Sequence, residues 1–155
     1  MRSLPKRWIQ QYEPWHMDAL SMRWHEEDTF KLVDRDLDKI LKKTNKGCSF
    51  TGFAEDKIIG CAGILPLWDG VGHAWVVMGK DYKKHRIWIH KQVKSMFFKI
   101  AVGMEFKRVQ ANVQADFYDA LRWIEALGFT CESTLKRYGP DGKDHYMYVR
   151  FFDDS

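Results

Sequence analysis

The segment from Asp116 to Phe129, DFYDALRWIEALGF, constrains the fold more than any other part of this chain. Its apolar residues recur at the spacing of a short amphipathic helix, and it ends in Leu-Gly-Phe. A β-like run, Arg108–Val113, precedes the segment, and a second β-like run, Thr130–Leu135, follows it. The sequence therefore predicts a strand, a short helix and another strand in the C-terminal part of the chain.

Length and composition are those of one globular domain spanning residues 1–155. The chain is 45% hydrophobic and 15% aromatic, with seven tryptophans, which is enough to build a core without disulfides or structural metal ions. No stretch approaches the roughly 20 apolar residues that span a bilayer, and the N-terminal MRSLPKRW lacks the apolar centre of a signal peptide. We therefore expect a cytoplasmic protein that makes no use of a membrane.

The three cysteines, Cys48, Cys61 and Cys131, are far apart in the sequence. None of them belongs to a CxxC pair or to a cysteine–histidine spacing that would suit zinc. We expect reduced thiols, most of them buried, and no metal site.

The remaining periodicities predict an α/β (α+β) domain whose mixed, mostly antiparallel central sheet is flanked by about four helices. A first helix follows Pro14, and a second helix is capped by Asp34 or Asp36 and ends at Gly47. A long helix covers about Lys83 to Gly103. The other predicted strands are Trp8–Tyr12, Cys48–Ala54, Lys57–Leu65, His73–Met78 and Tyr146–Phe151, with turns at Glu55-Asp56, 69–72 and 139–142.

Positive charge is concentrated in the segment from Lys80 to Lys99. Six lysines and one arginine stand there against the single Asp81, although the whole chain carries a net charge of only +4. Anions are the expected partners of such a segment. Three interpretations remain open: a solvated helix face, a phosphate site, or a nucleic-acid surface with Trp88 as a stacking platform. The modest net charge gives the nucleic-acid interpretation the least support.

The element order and the Leu-Gly-Phe helix resemble the GNAT (GCN5-related N-acetyltransferase) family over nearly the whole chain. This resemblance implies acetyl transfer from acetyl-CoA, or another acyl-CoA, to an unidentified amine acceptor. Relatives follow the cofactor-binding strand with an Arg/Gln-x-x-Gly-x-Gly/Ala loop, whereas the corresponding residues here, Lys83 to Ile89, contain no glycine. The cofactor-binding positions implied by the resemblance are Val76, Val77, Met78, Gly79, Lys83, Lys84, His85 and Arg86.

Acetyl transfer also needs a base for the incoming amine and an acid for the departing thiolate. The candidate bases are Asp69, His73 and Asp81, which stand at the ends of the predicted strand before the basic segment. Counting back from Leu-Gly-Phe, the position that often supplies a tyrosine acid in relatives falls on Ile124. The asparagine position falls on Phe117. Tyr118 is therefore the remaining candidate acid, although it lies on a different side of the helix.

A more specific resemblance rests on these departures together with several short motifs. The motifs are Gly63–Leu67, Gly70–Gly72 followed by Trp75, the basic helix in place of the glycine loop, Ala120–Phe129 and Tyr138–Gly142. Together they are similar to the GNAT-like proteins of tailed bacteriophages, a group that includes internal virion protein A. This resemblance implies an alternative: a non-catalytic assembly protein whose partners are phage or host proteins, found in the host cytoplasm or packaged in the virion. Exposed aromatic rings, for which we expect Trp15, Trp68 and Trp88, would suit such interfaces.

Overall fold

The computed structural model of the chain describes residues 6–21 and 47–152. The strands are β1 Arg7–Gln11, β2 Ser49–Ala54, β3 Lys57–Trp68, β4 Val71–Met78, β5 Arg108–Gln114, β6 Thr130–Leu135 and β7 His145–Phe151. The helices are α1 Pro14–Ser21, α2 Arg86–Gly103 and α3 Tyr118–Ala126, and a short 3-10 helix, Tyr82–His85, leads into α2. The predicted helix capped by Asp34 or Asp36 lies outside the described residues.

The predicted mixed α/β fold is confirmed, and the boundaries differ mainly at one turn. β3 runs on to Trp68 and β4 begins at Val71, so the predicted turn over 69–72 is reduced to Asp69 and Gly70. Gly70 has a φ of 81°, the left-handed conformation that lets a two-residue hairpin close between twisted strands. The long basic helix begins at Arg86 rather than near Lys83, because the preceding residues form the 3-10 turn.

The seven strands form one sheet in the order β1-β2-β3-β4-β5-β7-β6. Every neighbouring pair is antiparallel except β4 and β5, which run parallel. These two strands pair only from Val71 to His73, opposite Arg108 to Gln110. Beyond that point β4 continues to Met78 and β5 continues to Gln114 without pairing to each other. We call this V-shaped opening the fork, and its vertex lies at His73.

The helices cover the two faces of the sheet. On one face, His16 of α1 lies over Thr51 of β2, with 2.8 Å between Nδ1 and the hydroxyl oxygen. On the other face, the ring of Phe97 in α2 packs 6.3 Å from the ring of Phe50. Because successive strand residues point to opposite faces, these contacts define an α1 face and an α2 face.

Helix α3 also lies on the α2 face. Trp123 of α3 donates a hydrogen bond to His90 of α2 at 3.0 Å, and Tyr148 of β7 donates to Glu125 at 3.0 Å. The core contains residues from both faces, including the fully buried Leu20, Ile64, Val109 and Leu127.

Most of the expected exposures agree with the structure. Cys48 and Cys61 are buried free thiols and Cys131 is an exposed one. Trp15 and Trp68 are 54% and 67% exposed. Trp88 is half-buried instead, because its ring packs over Gly52, where an added Cβ would lie 3.3 Å from the indole.

Among the described residues no helix is long and apolar enough to cross a membrane, and no cluster of acidic, histidine and cysteine side chains is suited to a metal ion.

Candidate functional site

The vertex of the fork carries one of the three predicted bases, His73. It is the last residue of β4 that pairs with β5, opposite Gln110. Strand alternation places residues 73, 75 and 77 on the α1 face, where Trp75 packs edge-on against Tyr12 at 5.4 Å. The His73 side chain is half-buried there. A titratable group thus lies at the point where the two strands separate.

His73 lies beside a hydrogen-bonded pair formed by Asn112 and His145. The side chain of Asn112, on β5, is close enough to His73 to raise the pKa of its imidazole. Asn112 Nδ2 also lies 3.1 Å from Nδ1 of His145 at the start of β7. An amide has both an acceptor oxygen and a donor nitrogen, so Asn112 can accept from one imidazole while it donates to the other. We call this set the vertex network.

Burial keeps both histidines of the vertex network neutral. It lowers the pKa of His73, and the neighbouring Asn112 side chain offsets part of that effect. Burial likewise lowers the pKa of His145, against the opposing influence of Asp141, Asp116 and Asp144. At neutral pH the His73 imidazole is therefore free to accept a proton.

The other candidate catalytic residues lie away from the vertex. Asp69 is exposed in the β3–β4 turn, whereas Asp81 follows the far end of β4, so about eight residues of strand, or roughly 25 Å, separate them. Tyr118 is the first residue of α3 and is 70% exposed, beyond the C-terminal end of β5. Ile124, at the position of the relatives' tyrosine, is buried. The structure brings neither Asp69, Asp81 nor Tyr118 to His73.

The predicted cofactor strand forms one arm of the fork. Val76, Val77 and Met78 pair with β3 on one side, and their β5-facing edge has no strand partner within residues 6–21 and 47–152. Gly79 donates its N–H to the Ile59 carbonyl at 2.8 Å and closes this arm against β3. The free edge offers backbone donors and acceptors to an extended ligand.

The basic segment follows this arm directly, at the open end of the fork. Lys83, Lys84 and Arg86 are exposed, and His85 caps α2 without a side-chain hydrogen bond. The first N–H groups of a helix have no partner within the helix, and the helix dipole favours an anion there. No residue from Gly79 to Ile89 has a positive φ, so the backbone follows this path without the glycines of the related loop.

Sequence reasoning missed Asn112 and His145, which are 33 residues apart. Their proximity depends on the antiparallel register of β5 and β7, in which Gln114 pairs with His145 and Asn112 with Met147. The predicted strand Arg108–Val113 contains Asn112, but His145 lies one residue before the predicted strand Tyr146–Phe151 and belongs to β7 only in the structure. The missing information was the register, which no local pattern supplies.

Comparison with protein-family models gives no match, and neither does comparison with curated proteins. Solved structures do match. Ard1 from Thermoplasma volcanium superposes with a TM-score of 0.74 at 13% identity, covering 96% of this chain and 99% of that one. An acetyltransferase of the GNAT family from Streptococcus pneumoniae gives 0.70 at 17% identity, with 96% and 100% covered.

A third structure, yncA from Salmonella typhimurium with its cofactor acetyl-CoA, gives a TM-score of 0.68 at 12% identity, covering 96% of this chain and 95% of that one. The resemblance to the phage proteins has no counterpart among these three and stays a prediction. The chain therefore has the fold of GNAT acetyltransferases along nearly its whole length, as its element order and its Leu-Gly-Phe helix predicted.

Proposed function

We propose that this chain transfers an acyl group, acetyl in the simplest case, from acyl-CoA to an amine acceptor. The fork between β4 and β5 is the observation that carries the proposal. It combines a backbone edge with no strand partner among the residues that the structure describes, a basic helix start at its open end and a neutral histidine at its vertex. Each of these three features suits one part of the reaction.

The open arm of the fork fits the cofactor. The pantetheine arm of CoA contains amide groups, which can pair with the backbone of Val76 to Met78 as a neighbouring strand would. The start of α2, with Lys83, Lys84 and Arg86, fits the pyrophosphate, because helix N–H groups and basic side chains both favour phosphate oxygens. Acyl-CoA, when bound, supplies the activated acyl group as a thioester.

His73 is the proposed base for the incoming amine. An ammonium group must lose a proton before its nitrogen can attack, and a neutral imidazole at neutral pH can accept that proton directly or through one water. The amine nitrogen then bonds to the acyl carbon, the thioester C–S bond breaks, and CoA leaves as a thiolate that takes a proton from solvent. His73 is on the α1 face, so the amine approaches from that side while the cofactor occupies the fork. Asn112, which lies beside this ring and is hydrogen-bonded to His145, is the proposed positioning residue.

Binding of acetyl-CoA to two variants tests the phosphate site. Lys84→Ala combined with Arg86→Ala should weaken the affinity by about 1–3 kcal/mol, the range for lost charged hydrogen bonds. Lys136→Ala removes an equally exposed lysine from the segment between β6 and β7 and should leave the affinity unchanged. An unaltered dissociation constant in the double variant would show that the phosphates bind elsewhere.

The chemical step is tested separately by His73→Gln. The affinity for acetyl-CoA should be preserved, because the side chain lies on the face opposite α2. Transfer to an amine should fall by roughly 10²–10⁴-fold, the usual contribution of a general base. Full activity in His73→Gln would remove His73 from the mechanism.

A second candidate function is favoured by the exposed tip of the β3–β4 hairpin. Leu67 and Trp68 are 37% and 67% exposed beside a two-residue turn, a combination that suits a protein interface. In this candidate the chain is a phage-encoded assembly protein, in the host cytoplasm or the virion, that keeps the fold without turnover. Lack of acetyl-CoA binding, together with loss of particle assembly in a Trp68→Ala phage, would favour it over the enzyme.

A further inference from the structure

A groove between α2 and β7 is not used by the proposed acyl transfer. Its volume is about 390 Å³, within the range of ligand-binding clefts. We call it the α2–β7 groove, and its lining residues are Lys91, Lys94, Ser95, Phe98, Lys99 and Arg150.

Positive charge lines the groove from two elements. Lys91, Lys94 and Lys99 come from one side of α2, and Arg150 comes from β7. No ion pair in the described part of the chain involves any of these four side chains. Arg150 is also held in place: Nη1 donates to the Leu127 carbonyl at 3.2 Å, and the guanidinium lies 4.7 Å from the centre of the Phe152 ring. Uncompensated cations that face one groove favour an anionic ligand.

One residue that lines the groove, Phe98, is aromatic. Phe98 is 51% exposed although it lies in the middle of a long helix, and its ring is 6.4 Å from that of Phe152. An exposed ring among cations offers a flat face on which another ring can stack. The groove therefore combines sites for negative charge with a site for a planar, apolar group.

The groove is separate from the fork. Lys94 lies eight residues after Arg86, or about 12 Å along the helix from the proposed pyrophosphate site. Arg150 pairs with Val109, which lies at the closed end of the β4–β5 pair. The vertex network, in turn, faces the opposite side of the sheet.

The geometry points to a binding site for single-stranded nucleic acid in the α2–β7 groove. Phosphates would contact the lysines and Arg150, and an unstacked base would lie on Phe98, the usual combination in proteins that bind single strands. An acidic peptide could match the charges, but its acidic side chains contain no ring that could stack on Phe98. A duplex keeps its bases stacked on one another and cannot offer one to Phe98.

Fluorescence anisotropy with a labelled 12-mer of oligothymidylate tests this site on the full chain. With four cations engaged, the logarithm of the association constant should fall with the logarithm of salt concentration at a slope of about −3. Phe98→Ala should weaken binding roughly 5- to 150-fold, the loss expected for one stacked base. Lys94→Glu should reduce both the affinity and the slope. Lys136→Glu, with the same change in net charge outside the groove, should alter neither by more than a small amount.

Three outcomes would overturn the inference. The first is no binding of the 12-mer at low salt. The second is equal binding of a 12-residue polyglutamate with no effect of Phe98→Ala, which would make the groove a general anion surface. The third is full displacement of the oligonucleotide by CoA, which would assign the groove to the cofactor. Circular dichroism of Phe98→Ala serves as the folding control, and Lys94→Glu, at an exposed position, tests the site independently.

Discussion

Replacing Asn112 with aspartate tests the vertex network, because the change alters charge while nearly preserving shape. The new carboxylate would lie about 3 Å from a ring nitrogen of His145 and beside the ring of His73, whose pKa Asn112 already influences. At an effective dielectric of about 20, it would attract a protonated imidazole at that distance by about 5 kcal/mol. Desolvation of the carboxylate offsets part of this attraction.

The net effect of an opposite charge this close is usually a pKa change of about one to three units. In the native chain burial lowers the pKa of His73, so the ring is neutral at pH 7. In Asn112→Asp the pKa of His73 should rise, so at any given pH a larger fraction of the rings should be protonated and unable to act as a base. The ascending limb of the pH–rate profile should move to higher pH by the same one to three units.

Histidine NMR titration measures this shift without requiring the acceptor, and His73→Gln assigns the resonance. Gln110→Glu is the matched control. Gln110 also faces His73 across the strand pair, but it accepts a hydrogen bond from Arg108 Nε at 3.0 Å, so the guanidinium should compensate the new charge and give a smaller shift. If the titration of His73 is the same in Asn112→Asp as in the native chain, the proposed coupling is refuted.

Three further changes have defined outcomes. Burial lowers the pKa of His145, so below about pH 6.5 this histidine binds a proton in the unfolded chain but not in the folded chain. The melting temperature should therefore fall as the pH is lowered below about 6.5. In His145→Gln this fall should be smaller. Gly63→Ala should destabilise the chain by about 1–3 kcal/mol in urea titrations, because its Cβ would lie 2.6 Å from Ser49 Cβ. Gly103→Ala should not destabilise the chain in this way, because a Cβ added at Gly103 would have no neighbouring atom within 4 Å. Tyr118→Phe should leave turnover nearly unchanged, whereas loss of a general acid costs roughly 10²–10⁴-fold.

Local sequence patterns predicted most of the fold. The positive φ values of Glu55 and Asp56 and the helix from Tyr118 to Ala126 lie where turn residues and amphipathic spacing placed them. The errors arose where neighbouring elements decide the outcome. Trp88 was expected to be exposed, but Gly52 on a distant strand leaves room for the indole to pack. Gly52 precedes Trp88 by 36 residues, so the local sequence pattern of α2 does not indicate this packing.

The candidate site was predicted only in part, for the same reason. His73 was one of three candidate bases, and its sequence context does not set it apart from Asp69 or Asp81. The structure distinguishes it by the position at which β4 and β5 stop pairing, which is a property of two strands more than thirty residues apart. The basic segment, by contrast, is a local feature, and its position at the open end of the fork followed from the order of elements.

The central claim is that the fork binds acyl-CoA although the segment after β4 lacks glycine. Calorimetric titration of the purified chain with acetyl-CoA, with CoA as the control ligand, tests this claim most directly. Both ligands should bind with micromolar dissociation constants, because the helix start and the basic side chains would hold the phosphates that the two ligands share. No heat of binding at millimolar acetyl-CoA would contradict the account and leave the fold without its enzymatic role.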